Sequence, residues 1–369
     1  MQRLLDVILP DVLRIVPAAA ALAACELVFP YEPFEDAPPD GSEVCKLYDA
    51  EPGNCAGSLR DCNAQPADGC ETSVDSDAGH CGYCGHACTE EACVDSWCDA
   101  RTVATQTATG SVYSIGVNQG YLYIFAEDTR VVALEGGGEA SIALGGPSTH
   151  FAFEGDFAYI VSFSPAICTQ GTGWCVVASP IGSATTSPLG ETLNYPYGLA
   201  ASPDHVFFAD EGDGGRVVRL DKTGGNETVM ATQQGVIAKL AADATHVYWA
   251  GPNGVARLDA PAMAPQILAP DPATALALAG GSVYWASASS IARMPAGGGE
   301  VEVLVNRGAD WIGVAVPYLY WAEGASLFRR VLCASGTDES VPGDAPAFVT
   351  SAHLYHTLTN ETIVARRQH

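Results

Sequence analysis

The sequence is poor in basic residues, in long apolar runs and in familiar catalytic motifs. It has 17 Lys and Arg against 43 Asp and Glu, a formal net charge of -26. Proteins that bind nucleic acid need Lys and Arg to contact phosphate, so this charge argues against a nucleic-acid partner. No run outside the leader approaches the roughly 18 apolar residues of a membrane-spanning helix. The GxSxG, HExxH and P-loop motifs are also absent.

The N-terminal segment has the features of an export signal. Arg14 precedes the short apolar run "IVPAAAALAAC", residues 15–25, which is too short to span a bilayer. The end of this run, "LAAC", resembles the lipobox of bacterial lipoproteins. The resemblance implies cleavage before Cys25 and acylation of its thiol. We therefore predict a lipoprotein signal peptide over 1–24, with an ordinary cleaved signal and an incidental cysteine as the alternative.

A cysteine-rich module follows a short tether. Residues 25–44 are acidic and rich in proline, as expected for a tether. The module, 45–99, has few large apolar residues and cannot build a sufficient hydrophobic core. In an exported chain its cysteines are expected to form disulfides, although Cys81 and Cys84, with His80 and His86, have the spacing of a zinc knuckle. The module contains nine cysteines, whose pairing the sequence leaves open: Cys45, Cys55, Cys62, Cys70, Cys81, Cys84, Cys88, Cys93 and Cys98.

The segment from Asp61 to Cys88, with "ADGCET", an acidic spacer and "HCGYCGHAC", resembles a cysteine-rich segment of many exported myxobacterial proteins. That resemblance implies export and no particular activity. Cys168 and Cys175 bracket an insertion and are predicted to close it. Cys333 then remains for one of the upstream cysteines, a bridge that would fasten the module to the rest of the chain.

Residues 101–369 contain an internal repeat. Aromatic-centred strands such as "HVYWA", "SVYWA" and "YLYWA" recur, each followed by a turn, a second strand and often a glycine-rich turn. The anchors of the repeat are Tyr123, Tyr159, Phe207, Tyr248, Tyr284, Tyr320 and Tyr355. Their spacings are 36, 48, 41, 36, 36 and 35 residues. Such a period indicates four-stranded blades, and the "VYWA…I.R…GG" pattern resembles the YWTD and NHL groups of β-propellers.

We therefore predict an all-β fold, a seven-bladed β-propeller over 101–369 preceded by the disulfide-rich module. The chain ends one strand short of a blade, so the strand "RTVATQT", 101–107, is expected to complete the last blade and close the ring. A six-bladed ring is the rival prediction, if the long second unit is irregular.

Counting back from each anchor places candidate site residues at the two mouths of the propeller. We call the end where the innermost strands begin the first mouth; there the candidate binding residues are His150, Lys239 and Trp311, with neighbouring Tyr197. The other end is the second mouth. Its candidate cation ligands, an alternative set, are Asn118, Glu154, Ser202 and Asp243.

The functional prediction is a lipid-anchored cell-envelope protein that binds a protein or glycan through its propeller. It requires no catalytic residue, metal or cofactor, and we expect a monomer at the bacterial envelope or surface, held by lipid at Cys25. Which membrane holds it is open. The alternatives are a lactonase-like propeller hydrolase or lyase with a divalent cation at one mouth, which we favour less, and a purely structural envelope component.

Overall fold

The structure is a computed structural model that describes residues 55–367 with gaps. The gaps are 56–58, 64, 66–68, 82–83, 85–86, 89–91, 95–96, 106–111, 127–128, 135–137, 143, 145–149, 165–166, 169–172, 191–194, 260–263, 317, 333–337, 351–352 and 359–361, and the side chains of Tyr197, Pro346, Arg366 and Arg367 are also left out. The predicted signal peptide, the tether, Cys25, Cys45 and Cys333 lie outside the described residues. No helix in the described ranges is long and apolar enough to cross a membrane.

The cysteine-rich module is held by disulfides around a small core of sulfur. Two short hairpins are formed, β1 (Leu59–Arg60) with β2 (Thr72–Ser73), and β3 (Cys93–Val94) with β4 (Trp97–Cys98). The four bridges join Cys55 to Cys70, Cys62 to Cys84, Cys81 to Cys93 and Cys88 to Cys98. The buried cluster of the module consists of Cys81, Cys88, Cys93 and Cys98. The prediction of a disulfide-rich module is therefore confirmed.

After strand β5 (Arg101–Thr105), the chain forms a series of antiparallel sheets in which neighbouring strands are consecutive in sequence. Five sheets of the described residues have four strands each. The first sheet consists of β6 (Ser114–Asn118), β7 (Tyr121–Phe125), β8 (Thr129–Ala133) and β9 (Glu139–Ile142), and the second of β10 (Phe151–Glu154), β11 (Phe157–Ser162), β12 (Cys175–Pro180) and β13 (Ser187–Gly190). The third consists of β14 (Pro196–Ala201), β15 (His205–Asp210), β16 (Arg216–Asp221) and β17 (Glu227–Ala231), and the fourth of β18 (Lys239–Ala242), β19 (His246–Gly251), β20 (Gly254–Asp259) and β21 (Gln266–Ala269). The fifth consists of β22 (Ala275–Ala279), β23 (Ser282–Ala286), β24 (Ile291–Pro295) and β25 (Glu302–Val305).

The last sheet has seven strands and includes the N-terminal strand. Its order is β26 (Trp311–Ala315), β27 (Tyr318–Glu323), β28 (Ser326–Val331), β29 (Glu339–Val349), β30 (His353–Thr357), β31 (Thr362–Arg367) and β5. The long strand β29 pairs with β28 through its first half and with β30 through its second half, so that it joins two units. Strand β5 pairs with β31, as the incomplete last repeat predicted.

The repeat anchors sit on the second strand of each unit and face a residue on the first strand that is small in every unit except the last. The facing pairs are Gly116 and Tyr123, Ala152 and Tyr159, Ala200 and Phe207, Ala241 and Tyr248, Ala277 and Tyr284, Gly313 and Tyr320, and Phe348 and Tyr355. Large residues of the first strands pack against the preceding sheet, as Leu240 does in a buried cluster with Ala200 and Phe207. The hydrophobic core therefore lies between successive sheets.

The first strands of the units also follow one another in space. Strands β10, β14, β18, β22, β26 and β29 are neighbours in that order, and β29 lies beside β6. Strands β6 and β10 meet at Gly116, where an added Cβ would lie 2.6 Å from Phe151 and 2.8 Å from Phe153. Only glycine leaves room for these rings. The succession of innermost strands thus returns to its start, which is the arrangement of a β-propeller.

The recurring arginines of the third strands lie on the faces of the sheets. Arg257, Arg293 and Arg329 each stand opposite a tyrosine anchor. Their side chains are only 12%, 27% and 9% exposed, and they bond to the outer strand or to the next sheet. They therefore cover blade surfaces and do not form a basic stripe.

Trp97 connects the cysteine-rich module to the propeller. Its ring is 6% exposed and shares a buried cluster with Tyr318, Tyr320 and Leu354. The guanidinium carbon of Arg329 lies 3.5 Å from the centre of the Trp97 ring, and this arginine also donates a hydrogen bond to Glu339. The module is thus docked through a buried cation–π contact.

Candidate functional site

The predicted first-mouth residues lie at the expected end of the sheets. His150 immediately precedes β10, Lys239 begins β18 and Trp311 begins β26. Tyr197 lies within β14, but its side chain is outside the described part. Because these first strands are neighbours around the axis, the row brings side chains that are far apart in sequence to one end of the fold.

Electrostatics link His150 and Lys239. Burial lowers the pKa of His150 to about 4, and the positive charge of Lys239 adds to this effect. Burial also lowers the pKa of Lys239. The imidazole is therefore neutral near pH 7.

Trp311 occupies the same row on β26 and is half-buried. An added Cβ on Gly313 would lie 2.6 Å from Cη2 of Trp311 and 2.7 Å from Cγ1 of Val349. The absence of a side chain at Gly313 therefore lets the indole lie against the first strand beside the axis. The first mouth thus combines a lysine side chain, a neutral imidazole and an aromatic ring.

Three further aromatic residues lie at this end, and the sequence did not predict them as site residues. Phe163 follows β11, Trp174 precedes β12 and Tyr195 precedes β14, all at the end where β10 begins. The ring centres of Phe163 and Trp174 are 4.7 Å apart, and those of Trp174 and Tyr195 are 5.6 Å apart. We call these three residues the aromatic cluster. Phe163 is 42% exposed and Tyr195 is 55% exposed, so the cluster offers apolar surface to a ligand.

The local chain explains why these rings are held outside the core. The disulfide between Cys168 and Cys175 closes the insertion that separates Phe163 from Trp174. Gly173, next to Trp174, has a φ of 83°, which glycine adopts without strain. Tyr195 has a φ of 53°, an uncommon conformation for a residue with a side chain and one that concentrates at functional sites. The sequence marks the insertion, because it lengthens the second unit of the repeat, but it does not indicate which rings come into contact there.

The second-mouth residues Ser202 and Asp243 are engaged in hairpin turns. The backbone N–H of His205 donates to Oγ of Ser202 at 3.2 Å, and that of His246 donates to Oδ1 of Asp243 at 2.8 Å. Tyr248 donates its hydroxyl to Oδ2 of Asp243. Burial raises the pKa of Asp243, but these hydrogen bonds and those from Thr245 outweigh it, and the pKa is lowered. Both residues therefore stabilise turns of the kind that Ser and Asp favour.

Glu154 and Asn118 end the first strands of two neighbouring units at this mouth. Burial raises the pKa of Tyr159, and the carboxylate of Glu154 adds to this effect and also attracts Lys222. Within the described residues, the groups of three or more potential ligand atoms that lie within 4.8 Å of one another contain neither Glu154 nor Asp243. Those groups consist of His80 and cysteines of the module, and the cysteines are bonded in disulfides. Their sulfurs are not the thiolates that zinc needs, so the zinc interpretation of the module is not supported.

Comparison with known proteins defines the class by fold alone. No family model matches the chain, and a search of curated proteins finds no relative. Among solved structures, YCF48 from Cyanidioschyzon merolae is 12% identical, with a TM-score of 0.54 over 73% of this chain and 98% of that one. The AfRom2 CNH domain (7%, TM-score 0.54, 73% and 99%) and the computationally designed Ika8 protein (12%, 0.53, 73% and 100%) are similar to the same extent. Together with the succession of sheets, these likenesses show that the chain is a β-propeller.

Proposed function

We propose that this chain is a lipid-anchored envelope protein whose seven-bladed propeller binds a partner protein at the first mouth. The observation that carries the proposal is the aromatic cluster. It places two exposed rings at the same end of the fold as His150, Lys239 and Trp311. Aromatic residues on a rigid scaffold are the usual anchors of protein interfaces.

Seven blades account for the strand pairing. Five units are separate four-stranded sheets, and the seven-stranded sheet divides within β29 into two further units. Strand β5 supplies the outer strand of the last unit, beside β31. A ring closed in this way has no long exposed edge at the point where its two ends meet.

A protein partner fits the aromatic cluster better than a glycan. The ring planes of Phe163 and Trp174 are inclined by 44°, and those of Trp174 and Tyr195 by 66°. Inclined rings form a notched apolar surface that suits aliphatic and aromatic side chains, whereas sugar rings stack on flat ones. One structure of similar fold, with a TM-score of 0.52 and 13% identity, is that of YCF48 bound to D1 peptide. A protein of this fold is thus able to bind a peptide.

Attachment to the envelope rests on the sequence "LAAC". The lipid on Cys25 would tether the chain, and the tether and module would hold the propeller away from the bilayer. Metabolic labelling with a fatty-acid analogue tests this part. We expect label in the wild-type chain and none after Cys25→Ser, and label that persists in this variant would contradict it.

Site-specific photo-crosslinking tests binding at the first mouth. A photoreactive phenylalanine replaces Phe163 in one variant and Phe157 in the other. The two positions are matched, because they are 42% and 41% exposed and lie at opposite ends of β11. We expect a discrete protein adduct in intact cells of the source organism from position 163 only. Equal adducts from both positions, or none from 163, would contradict the proposal, as would an adduct removed by glycosidases but not by protease.

A further inference from the structure

The exposed apolar surface of the first mouth continues beyond the aromatic cluster onto the neighbouring units. Tyr113 precedes β6 and is 41% exposed, and Val236 precedes β18 and is 54% exposed. With Phe163 and Tyr195, they place one exposed apolar side chain at this end of each of the first four units. The other exposed large apolar residues of the described ranges lie in the module, on outer strands or at the second mouth. We call Tyr113, Phe163, Tyr195 and Val236 the apolar arc.

Two loops hold Val236 in its exposed position. Residues 211–215 join β15 to β16, and residues 232–238 join β17 to β18. The backbone N–H of Gln233 donates to the carbonyl of Asp213 at 3.1 Å, and the side-chain amide of Gln233 donates to the same oxygen at 2.7 Å. Two further backbone hydrogen bonds join the loops. Val236 follows this pairing directly, so the surface around it is fixed before any ligand arrives.

Acidic side chains lie on both sides of Val236. Asp213 is exposed on the loop that joins β15 to β16, and Asp271 is exposed on the loop that precedes β22. The loop of Asp271 is hydrogen-bonded to the hairpin between β19 and β20, and this hairpin is hydrogen-bonded to the loop of Val236. The two carboxylates therefore belong to the same connected set of loops as the apolar residue between them.

The arginines of the first mouth do not compensate this acidity, because they are paired within the fold. In the part of this mouth that the structure describes, Arg130 pairs with Glu139, Arg216 with Asp210, and Arg307 with Glu323 and Asp338. Lys239 is the remaining cation there, against exposed carboxylates at Asp213, Asp271 and Asp310. The apolar arc thus lies in an acidic surrounding, on a chain with a net charge of -26.

We propose that the partner presents a cationic amphipathic segment to the first mouth. Its apolar side chains cover the apolar arc, and its Lys or Arg side chains lie beside Asp213 and Asp271. Burial of exposed apolar side chains supplies affinity, whereas complementary charge accelerates association and fixes the orientation of the segment. This inference rests on the proposed function, because it names the chemistry of the partner that binds at this mouth.

Selection of peptides on the purified, oxidised full-length chain tests the inference without knowledge of the partner. The probe is a random peptide library displayed on phage. We expect the enriched peptides to combine Lys or Arg with aromatic or aliphatic residues, and to lose binding to the variant Phe163→Ala with Tyr195→Asn. Peptides without an excess of positive charge over the library, or no enrichment at all, would overturn the inference.

Charge variants separate a local contact from the general attraction of a basic peptide to an acidic protein. The variant Asp213→Asn with Asp271→Asn removes two charges, and asparagine suits the φ of 48° at position 213. Its control, Asp204→Asn with Glu300→Gln, removes the same charge from exposed positions at the second mouth. We expect the first variant to weaken binding of a selected peptide about fivefold, since exposed ion pairs are individually weak, and the control to leave it unchanged. Equal weakening by both variants would refute the local contact.

Photo-crosslinking in intact cells of the source organism connects this surface to the partner. A photoreactive phenylalanine at position 236 should give an adduct with the same protein as position 163, at a partner peptide that contains Lys or Arg. Position 267 is the control, because Ile267 is 51% exposed but lies on the outer strand β21 of the same unit. An adduct at 163 with none at 236 would overturn the inference and leave the proposed function intact. The absence of an adduct at 163 would contradict the proposed function, whereas the peptide selection does not depend on that adduct.

Discussion

Replacement of Trp97 by alanine should strongly destabilise the protein, because this ring docks the cysteine-rich module. Trp97 is 6% exposed and packs against Tyr318 and Tyr320. Truncation of a buried tryptophan costs about 3–5 kcal/mol, and a desolvated cation–π contact such as that with Arg329 contributes about 2 kcal/mol of this. The loss is a large part of the 5–15 kcal/mol that typically stabilises a domain.

Urea unfolding of the oxidised protein, followed by circular dichroism, measures this effect without relying on the lost fluorophore. Val94→Ala is a matched control, because Val94 pairs directly with Trp97 in the hairpin but is 52% exposed. We expect this control to change the free energy of unfolding by less than about 0.5 kcal/mol. Trp97→Phe should retain part of the stability, because a ring still faces Arg329.

A double-mutant cycle between Trp97→Ala and Arg329→Met isolates the contact. Both residues are nearly buried, and the guanidinium also bonds to Glu339. We expect a coupling free energy of about 1–2 kcal/mol. A loss below about 1 kcal/mol for Trp97→Ala, or a coupling near zero, would refute the docking of the module by this ring.

Three further predictions follow from the structure. The pKa of His150 falls from 6.5 to about 4 on folding, so between these pH values the unfolded chain binds more protons than the folded chain. The wild-type chain should therefore lose about 3 kcal/mol more of its free energy of unfolding than His150→Asn between about pH 7 and pH 4. Equal losses in the two chains would contradict this prediction. The eight cysteines of the module other than Cys45 pair among themselves. Peptide mapping should therefore find Cys45 bridged to Cys333, and a free thiol at Cys333 would exclude that bridge. A chain that begins at residue 107 lacks β5 and exposes the edge of β31, so it should aggregate more in light scattering than a chain that begins at 100, which also lacks Trp97 but keeps β5. Equal aggregation of the two chains would argue against closure by β5.

The regular part of the fold could be predicted because it repeats. Each anchor, such as Tyr248, faces the residue seven positions earlier, such as Ala241, so one spacing fixes the register of every hairpin. The count of strands in the last repeat likewise predicted the pairing of β5 with β31. In the other units the residue that faces the anchor is Gly or Ala, and Phe348, although large, still lies opposite its anchor Tyr355.

The irregular contacts could not be predicted, because they join loops whose sequences carry no shared pattern. The aromatic cluster forms only when an insertion closed by Cys168 and Cys175 meets the segment before β14. The contact between Trp97 and Arg329 crosses from the module to the sixth repeat. Periodicity reports which face of a strand is buried, not which distant side chain covers it.

The turn roles of Ser202 and Asp243 could have been recognised. Each precedes a histidine by three positions, as Thr350 precedes His353, and all three side chains accept a hydrogen bond from the histidine N–H. Ser, Thr and Asp commonly make such local bonds in turns. The alternation of side chains along a strand places these residues at the second mouth. It does not show that backbone N–H groups of the turn compete for their side-chain oxygens.

The central claim, that the first mouth binds a partner protein, is tested most directly by the affinity of matched variants. Once the crosslinked partner is identified, its dissociation constant is measured for the wild-type chain, for Phe163→Ala with Tyr195→Asn, and for Phe157→Ala. Asparagine suits the positive φ at position 195, so the double variant removes two rings without added backbone strain. We predict that the double variant weakens binding about a hundredfold, since interface anchors are worth about 2 kcal/mol or more, and that Phe157→Ala leaves it unchanged. Equal affinity of the double variant and the wild-type chain would contradict the account.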